Sequence, residues 1–276
     1  MAQDSSQFSE RLIRLLGPDE GPAVFREICR VLYPEANLIQ PGPGDEHKAE
    51  MEHIISEMEA GRPLQYVLGK AHFFGLELRV NPSVLIPRPE TEELVYFLLQ
   101  QTSGKGKKVL DLCCGSGCIA LALRKKGLFE CVEGLDLSPE ALETARFNAL
   151  NLKLPVTFFA FDLLKDEFPE DSVWDIWVSN PPYVARSESS GMEERVLLHE
   201  PHLALFVPDE DALCFYRRIL SLSEKHLQPG GQIFLEINPQ FASDLWRLYE
   251  SSGQMESVQL IPDMSGKQRF LHAIRK

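Results

Sequence analysis

The sequence predicts an α/β protein with a mostly parallel seven-stranded sheet, preceded by a small all-helical unit and a β-hairpin linker. Three observations predict it. Apolar residues recur at helical spacing through the first 70 or so positions. Between residue 107 and about residue 237, short β-like runs alternate with helix-periodic stretches, the pattern of a parallel sheet wrapped by helices. Two final apolar stretches flank the turn Pro262–Gly266 and read as closing strands that make an antiparallel edge.

In chain order, Phe8, Leu12 and Leu16 share one helical face, as do Val24, Ile28 and Val31, and then Met51, Ile54, Ile55 and Met58. Gly17-Pro18, Pro34 and the PGPG at 41–44 punctuate these helices; Asp45 is placed to cap the third, and Gly61 with Pro63 to end it. From Phe73 to Val80 the pattern changes to alternation, with Leu76, Leu78 and Val80 on one side. Pro89 is placed to start a helix whose first turn is acidic, as the helix macrodipole prefers, with Arg88 in solvent just before it. The β-like runs are KVLDLC, CVEGLD, VTFFAF, WDIWVS and GQIFLEI, separated by IALALRKKG, SPEALETARFNALNL and DALCFYRRILSLSEKHL; Phe241 to Ser251 is helical. The expected units are residues 1–70 (helical), 71–90 (hairpin and linker) and 91–276 (the α/β domain).

Composition bounds the function. With 44% hydrophobic and 25% charged residues the chain builds a packed, water-soluble protein. A net charge of −13 argues against unaided nucleic-acid binding, which needs a cationic face. MAQDSSQFSERL has neither the charged nor the apolar region of a signal peptide, and no stretch is long enough to span a membrane, so a cytoplasmic location is expected. Three of the six cysteines crowd LCCGSGC, but without zinc-ligand spacing, so they read as small apolar residues in a reducing compartment, and no metal site is expected.

Two stretches carry chemistry. Asn180-Pro181-Pro182-Tyr183 stops the apolar run Ile176-Trp177-Val178 and belongs at the carboxyl end of a buried strand, where open α/β sheets bind ligands. Two prolines remove two N–H donors and leave an acceptor-rich, rigid corner suited to a planar amide or amine; a plain strand-ending turn is the competing explanation. Asp111 to Gly117 follows the first strand of the sheet and runs into a helix. Gly115 and Gly117 admit close backbone approach, and Asp136, at the end of the next strand, is placed to take a ribose. An adenosyl cofactor follows. With Ala120 at the third position of a G-x-G-x-x-G pattern, a nicotinamide dinucleotide stays open at this point, as do purely local roles of Asp111 as a loop cap and Asp136 as a helix cap.

With those elements in chain order, together with LIPRPETEELV, DLCCGSGCIALAL, VSNPPY, EPHLALF and DMSGKQR, the sequence resembles class I S-adenosylmethionine-dependent methyltransferases and, within them, the HemK/PrmC family. That resemblance runs from about residue 61 to the C-terminus. It implies a Rossmann-like methyltransferase domain that methylates the glutamine of the GGQ motif in class I peptide-release factors, yielding N5-methylglutamine and S-adenosylhomocysteine. The first 60 residues match in helical character only, and the resemblance makes them a release-factor recognition unit. It implies cofactor contacts at Cys113, Cys114, Gly115, Ser116, Gly117 and Asp136, adenine beside Leu163, and Asn180 touching both cofactor and substrate. Asn180, Pro181, Pro182 and Tyr183 would bind the glutamine amide, with Asn180, Pro181 and Tyr183 as the catalytic set. A monomer with no direct nucleic-acid or membrane partner is expected. An adenine-N6 methyltransferase, a ribosomal-protein glutamine methyltransferase and a non-catalytic module on the same fold are the alternatives. Cys113-Cys114 stands where the family commonly has Gly-Thr, Asn238 where it has glycine, and VPDEDAL replaces a glycine-richer segment. None touches the NPPY corner, so retained chemistry with altered loops is expected.

Overall fold

The computed structural model describes residues 2–33, 47–103 and 105–276, with only the backbone described for 2–5. Pro34, the 41–44 turn and the Asp45 cap lie outside the described residues. The chain separates into two compact units, Met1–Leu68 and Gly69–Lys276.

In the first unit, helix α1 (Ala2–Leu32) is broken at Gly17, whose backbone (φ 91°, ψ 171°) is not helical and which Pro18 follows. Helices α2 (Lys48–Glu59) and α3 (Leu64–Leu68) complete it; Gly61, at φ 91°, and Pro63 lie between them. Phe8, Leu12, Met51, Ile54, Ile55 and Met58 are buried together as the periodicity predicts. After the break, the buried stripe is Phe25, Ile28 and Cys29, with Val24 and Val31 only half-buried. Arg11 holds Glu52 and Glu59, both at 2.7 Å, and so ties α1 to α2.

The second unit opens with a hairpin, β1 (Lys70–Phe73) and β2 (Leu76–Arg79). Phe74 and Gly75 at its tip both have positive φ (48° and 72°), the turn whose twist matches paired strands. The alternating stretch is therefore two strands rather than one, and Leu76, Leu78 and Val80 are all buried on one side. Then follow α4 (Pro89–Gln101), β3 (Lys108–Leu112), α5 (Cys118–Lys125), β4 (Cys131–Asp136), α6 (Pro139–Leu152), β5 (Thr157–Ala160) and β6 (Trp174–Ser179). Short pieces come next: β7 (Val184–Ala185), α7 (Glu194–His199), α8 (His202–Leu205) and β8 (Phe206–Val207). The unit closes with α9 (Cys214–His226), β9 (Leu227–Glu236), α10 (Ala242–Ser251), β10 (Met255–Pro262) and β11 (Gln268–Arg275).

The seven-stranded sheet has the order β10-β11-β9-β6-β3-β4-β5, parallel throughout except for β11, which runs against both neighbours. The two closing strands make the antiparallel edge of the sheet, folding back so that β11 slots between β9 and β10. Alternation within strands sorts side chains onto two cores. Val109, Ile176 and Val178 join α4, α5 and α6 on one face, while Leu110, Leu112 and Trp177 join α9 and α10 on the other. Each large side chain so buried contributes about 1.5–3 kcal/mol. The chain runs outward from β3 through β4 and β5, then returns to β6 on the other side of β3. This reversal opens a crevice at the carboxyl ends of β3 and β6.

Candidate active site

The crevice holds a cleft whose walls come from the loops after β3, β4, β5 and β6, from residues 83–91 and from 201–204. Cys113, Cys114, Gly115 and Ser116 form one wall, Asp136 and Leu163 a second, and Asn180 and Pro182 a third. Gly117 and Tyr183 do not line it, and Pro181 is buried between the lining residues Asn180 and Pro182. Leu137, Phe161, Asp162, Leu164 and Phe215 line it as well and were not anticipated.

The two glycines do different work. A Cβ on Gly115 would meet nothing within 4 Å, so this residue leaves open space beside the cleft. A Cβ on Gly117 would sit 2.8 Å from Phe158 Cζ, so that glycine lets the loop pack on β5. Cys113 has φ +61°, a left-handed conformation that costs a side-chain-bearing residue about 1–2 kcal/mol. The glycine expected there from the family pattern would occupy it without that cost, so the Cys113 replacement keeps the loop's path at the expense of strain.

Asp136 Oδ2 accepts the Gly115 N–H at 2.8 Å and its Oδ1 accepts the Ser138 N–H at 2.9 Å. Burial raises its pKa, and these backbone donors oppose the rise. Ser138, not Asp136, caps α6, accepting the Ala141 N–H at 3.1 Å. Asp111 is fully buried: Oδ2 accepts the Ala120 N–H at 3.1 Å, while Oδ1 has no hydrogen-bond donor among the described residues. Burial pushes the Asp111 carboxyl well up, and the nearby Asp136 adds to the rise. Burial, reinforced by Asp136, Asp111 and Asp162, likewise keeps the Cys113 thiol protonated. The thiols beside the cleft are packing groups, and no cluster of three potential metal ligands occurs among the described residues.

The proline corner sits on a buried network. Asn180 follows β6 and Glu236 ends β9; these parallel neighbours place Ser179 opposite Leu235, which brings the next residue of each strand side by side. Asn180 Nδ2 donates to Thr91 Oγ1 at 3.1 Å, and Thr91 Oγ1 donates to Glu236 Oε2 at 2.7 Å. Tyr183 Oη donates to Glu236 Oε1 at 3.0 Å. Burial raises the Tyr183 pKa, with Glu236 adding to it, so the phenol stays protonated. Beside the cleft Arg88 is paired as well as partly exposed: its Nη2 meets Glu200 Oε1 at 2.5 Å, and Glu200 Oε2 accepts the Ile86 N–H at 3.2 Å. Thr91, Glu200 and Glu236 are the polar residues that pattern reading passes over. Their signal is an acid or hydroxyl on an apolar face, which burial obliges to find partners.

A glycine loop fastened to a cleft-lining carboxylate, at the switch point of a sheet with one inserted antiparallel strand, defines a class I methyltransferase fold. Consistent with this, the family model described as Methyltransferase small domain matches residues 91–205. A 16S rRNA N2 methyltransferase of T. thermophilus, solved with AdoMet and guanosine, superposes with a TM-score of 0.55 at 20% identity, over 75% of this chain and 50% of that one. The release factor glutamine methyltransferase of Bacteroides thetaiotaomicron is 45% identical over 226 residues, 82% of this chain and 81% of its own. That of Streptococcus pneumoniae is 39% identical over 275 residues, 98% of this chain and 97% of its own. The chain belongs to the release factor glutamine methyltransferase family.

Proposed function

We propose that this protein methylates the side-chain amide nitrogen of the glutamine in the GGQ motif of class I peptide-chain release factors, with S-adenosylmethionine as methyl donor. The observation that carries the reading is the Asn180 corner beside a cleft walled by the glycine loop and Asp136. The donor set suits this cofactor. Open space at Gly115 admits close approach, Asp136 retains acceptor capacity for a ribose, and the apolar Leu163 and Phe161 suit an adenine. The carboxylates of Asp136 and Asp162 on the cleft wall favour a cation.

The cofactor supplies an electrophilic methyl group on a sulfonium. An amide nitrogen is a poor nucleophile because its lone pair is delocalised into the carbonyl, so the protein's task is orientation rather than strong deprotonation. Asn180 Oδ1 and the Pro181 carbonyl accept the two amide hydrogens, which points the nitrogen lone pair at the donor and stabilises the positive charge it gains; the nitrogen then sheds one of these protons to solvent as the methylated amide leaves. Tyr183 buttresses this corner through Glu236. Alignment of this kind supplies about 7–11 kcal/mol of barrier reduction, enough without a strong general base.

The helical unit at the N-terminus serves as the recognition module for the release factor, and the working form is a cytoplasmic monomer. No described helix is long and apolar enough to cross a membrane. The test is transfer of labelled methyl from S-adenosylmethionine to a release factor, its Gln→Ala form or DNA. Label only on the intact release factor supports the reading, and label on the Gln→Ala form or on DNA overturns it.

A further inference from the structure

Beneath the proline corner lies a relay of buried polar groups whose hydrogen-bond directions are set by the carboxylate form of Glu236, which Thr91, Tyr183 and Arg269 favour. Glu236 is 1% exposed and Thr91 is 2% exposed, so neither finds a partner in bulk water. Both oxygens of the Glu236 carboxylate accept hydroxyl protons, one from Thr91 and one from Tyr183. Burial raises the Glu236 pKa, while Thr91, Tyr183 and the charge of Arg269 oppose that rise. Arg269 is itself anchored, its Nε lying 3.1 Å from Asp263 Oδ2.

A threonine hydroxyl has one proton. Thr91 commits it to Glu236, so toward Asn180 its oxygen only accepts, and the Asn180 group facing it must be the NH2. The Asn180 carboxamide therefore has one allowed orientation, with its oxygen left for the cleft. We infer that Thr91 and Glu236 are positioning residues that lock the Asn180 carboxamide oxygen-outward, so that the corner selects a substrate bearing N–H donors and rejects the isosteric carboxylate. This inference rests on the function proposed above and explains how one asparagine, which offers both a donor and an acceptor, discriminates glutamine from glutamate. Reversed, the same side chain would present its NH2 and suit a carboxylate instead.

The relay predicts opposite outcomes for two nearly isosteric changes. Thr91→Ser keeps the hydroxyl and should retain kcat within about threefold. Thr91→Val removes it, frees Asn180 to turn, and should lower kcat by about 10- to 100-fold, the scale of a misoriented reacting group, with cofactor affinity unchanged. Glu236→Gln is the more specific probe. Its introduced NH2 can donate to Thr91 Oγ1, which releases the Thr91 proton to Asn180 Oδ1 and turns the Asn180 NH2 toward the cleft.

The experiment uses the full chain in four forms: wild type, Thr91→Ser, Thr91→Val and Glu236→Gln. It measures kcat and KM for methyl transfer to a release factor, and inhibition by the same factor carrying Gln→Glu in its GGQ motif. In parallel, hydrogen exchange of the Asn180 side-chain NH2 is followed by NMR without substrate. The inference expects serine to rescue and valine not to, stronger inhibition by the Gln→Glu factor in Glu236→Gln than in wild type, and slow Asn180 NH2 exchange that Thr91→Val accelerates. Wild-type kcat in Thr91→Val, or equal exchange in wild type and Thr91→Val, overturns it. If Thr91→Val does not fold, wild-type kcat and wild-type selectivity in Glu236→Gln overturn it equally. Absence of methyl transfer by the wild type would count against the proposed function alone, because the exchange measurement still decides the orientation of Asn180.

Discussion

Asp136 fastens the glycine loop to the end of its own strand, accepting the Gly115 N–H at 2.8 Å while its second oxygen holds the Ser138 N–H at 2.9 Å. An ionised carboxylate has about four acceptor sites, so two remain for a ribose. In the proposed function Asp136 serves the cofactor twice, by direct contact and by fixing the adjacent loop.

The first prediction follows from that double role. Asp136→Asn, which keeps one acceptor oxygen, should weaken S-adenosylmethionine binding by about 10- to 100-fold, the loss of a charge-assisted bond worth about 1.5–3 kcal/mol. Asp136→Ala should weaken it further and also lower the melting temperature of the free protein, because the Gly115 and Ser138 amides lose their acceptor. Isothermal calorimetry and thermal melts measure both effects. Unchanged affinity in both variants would remove Asp136 from the site.

A second prediction concerns the Arg88–Glu200 pair, which joins the segment before α4 to the segment before α8. The Glu200 side chain is 1% exposed and that of Arg88 is 33% exposed. Removing Arg88 strands a buried carboxylate. Arg88→Met should cost about 2 kcal/mol in urea unfolding, less than the full penalty for a wholly buried pair because Arg88 is partly solvated. Glu200→Gln should cost less, since it keeps an acceptor for the Ile86 N–H. Equal unfolding midpoints for wild type and Arg88→Met would mean that the pair does not hold these segments.

The third prediction is a pH dependence. His272, on β11, is stacked on Phe234, and burial holds its pKa down to about 4 from an ordinary 6.5. The folded state thus keeps the ring neutral where the unfolded chain would protonate it. Stability is fully present above pH 6.5 and declines as pH falls toward 4, because the unfolded state binds the extra proton. His272→Phe should flatten that part of the profile. Melting temperatures of both proteins, measured from pH 7 to pH 4, would refute the assignment if the two curves stayed parallel.

Much of this was legible in the sequence because it rests on local periodicity. The WDIWVS and CVEGLD runs coincide with β6 and β4, and Pro89 starts α4 as its fixed φ suggests. Other features depend on contacts between distant residues. That Arg88 is paired depends on Glu200, 112 positions away. That Asn180 is oriented depends on Thr91, which reads as one polar residue in an acidic helix turn, and on Glu236, 145 positions beyond Thr91. Between residues 184 and 211 the elements are two to six residues long, too short for any period to register. The place of β11 between β9 and β10 is a matter of sheet order, which strand-like composition does not encode.

In the proposed function Asn180 turns a cofactor cleft into an amide methyltransferase site by holding the glutamine nitrogen in line. Single-turnover methyl transfer by Asn180→Ala, with S-adenosylmethionine affinity measured by calorimetry on the same preparation, tests it most directly. The transfer rate should fall at least 100-fold with cofactor affinity retained within about tenfold, the scale expected when a positioned reacting group is released. A wild-type transfer rate in that variant would contradict it.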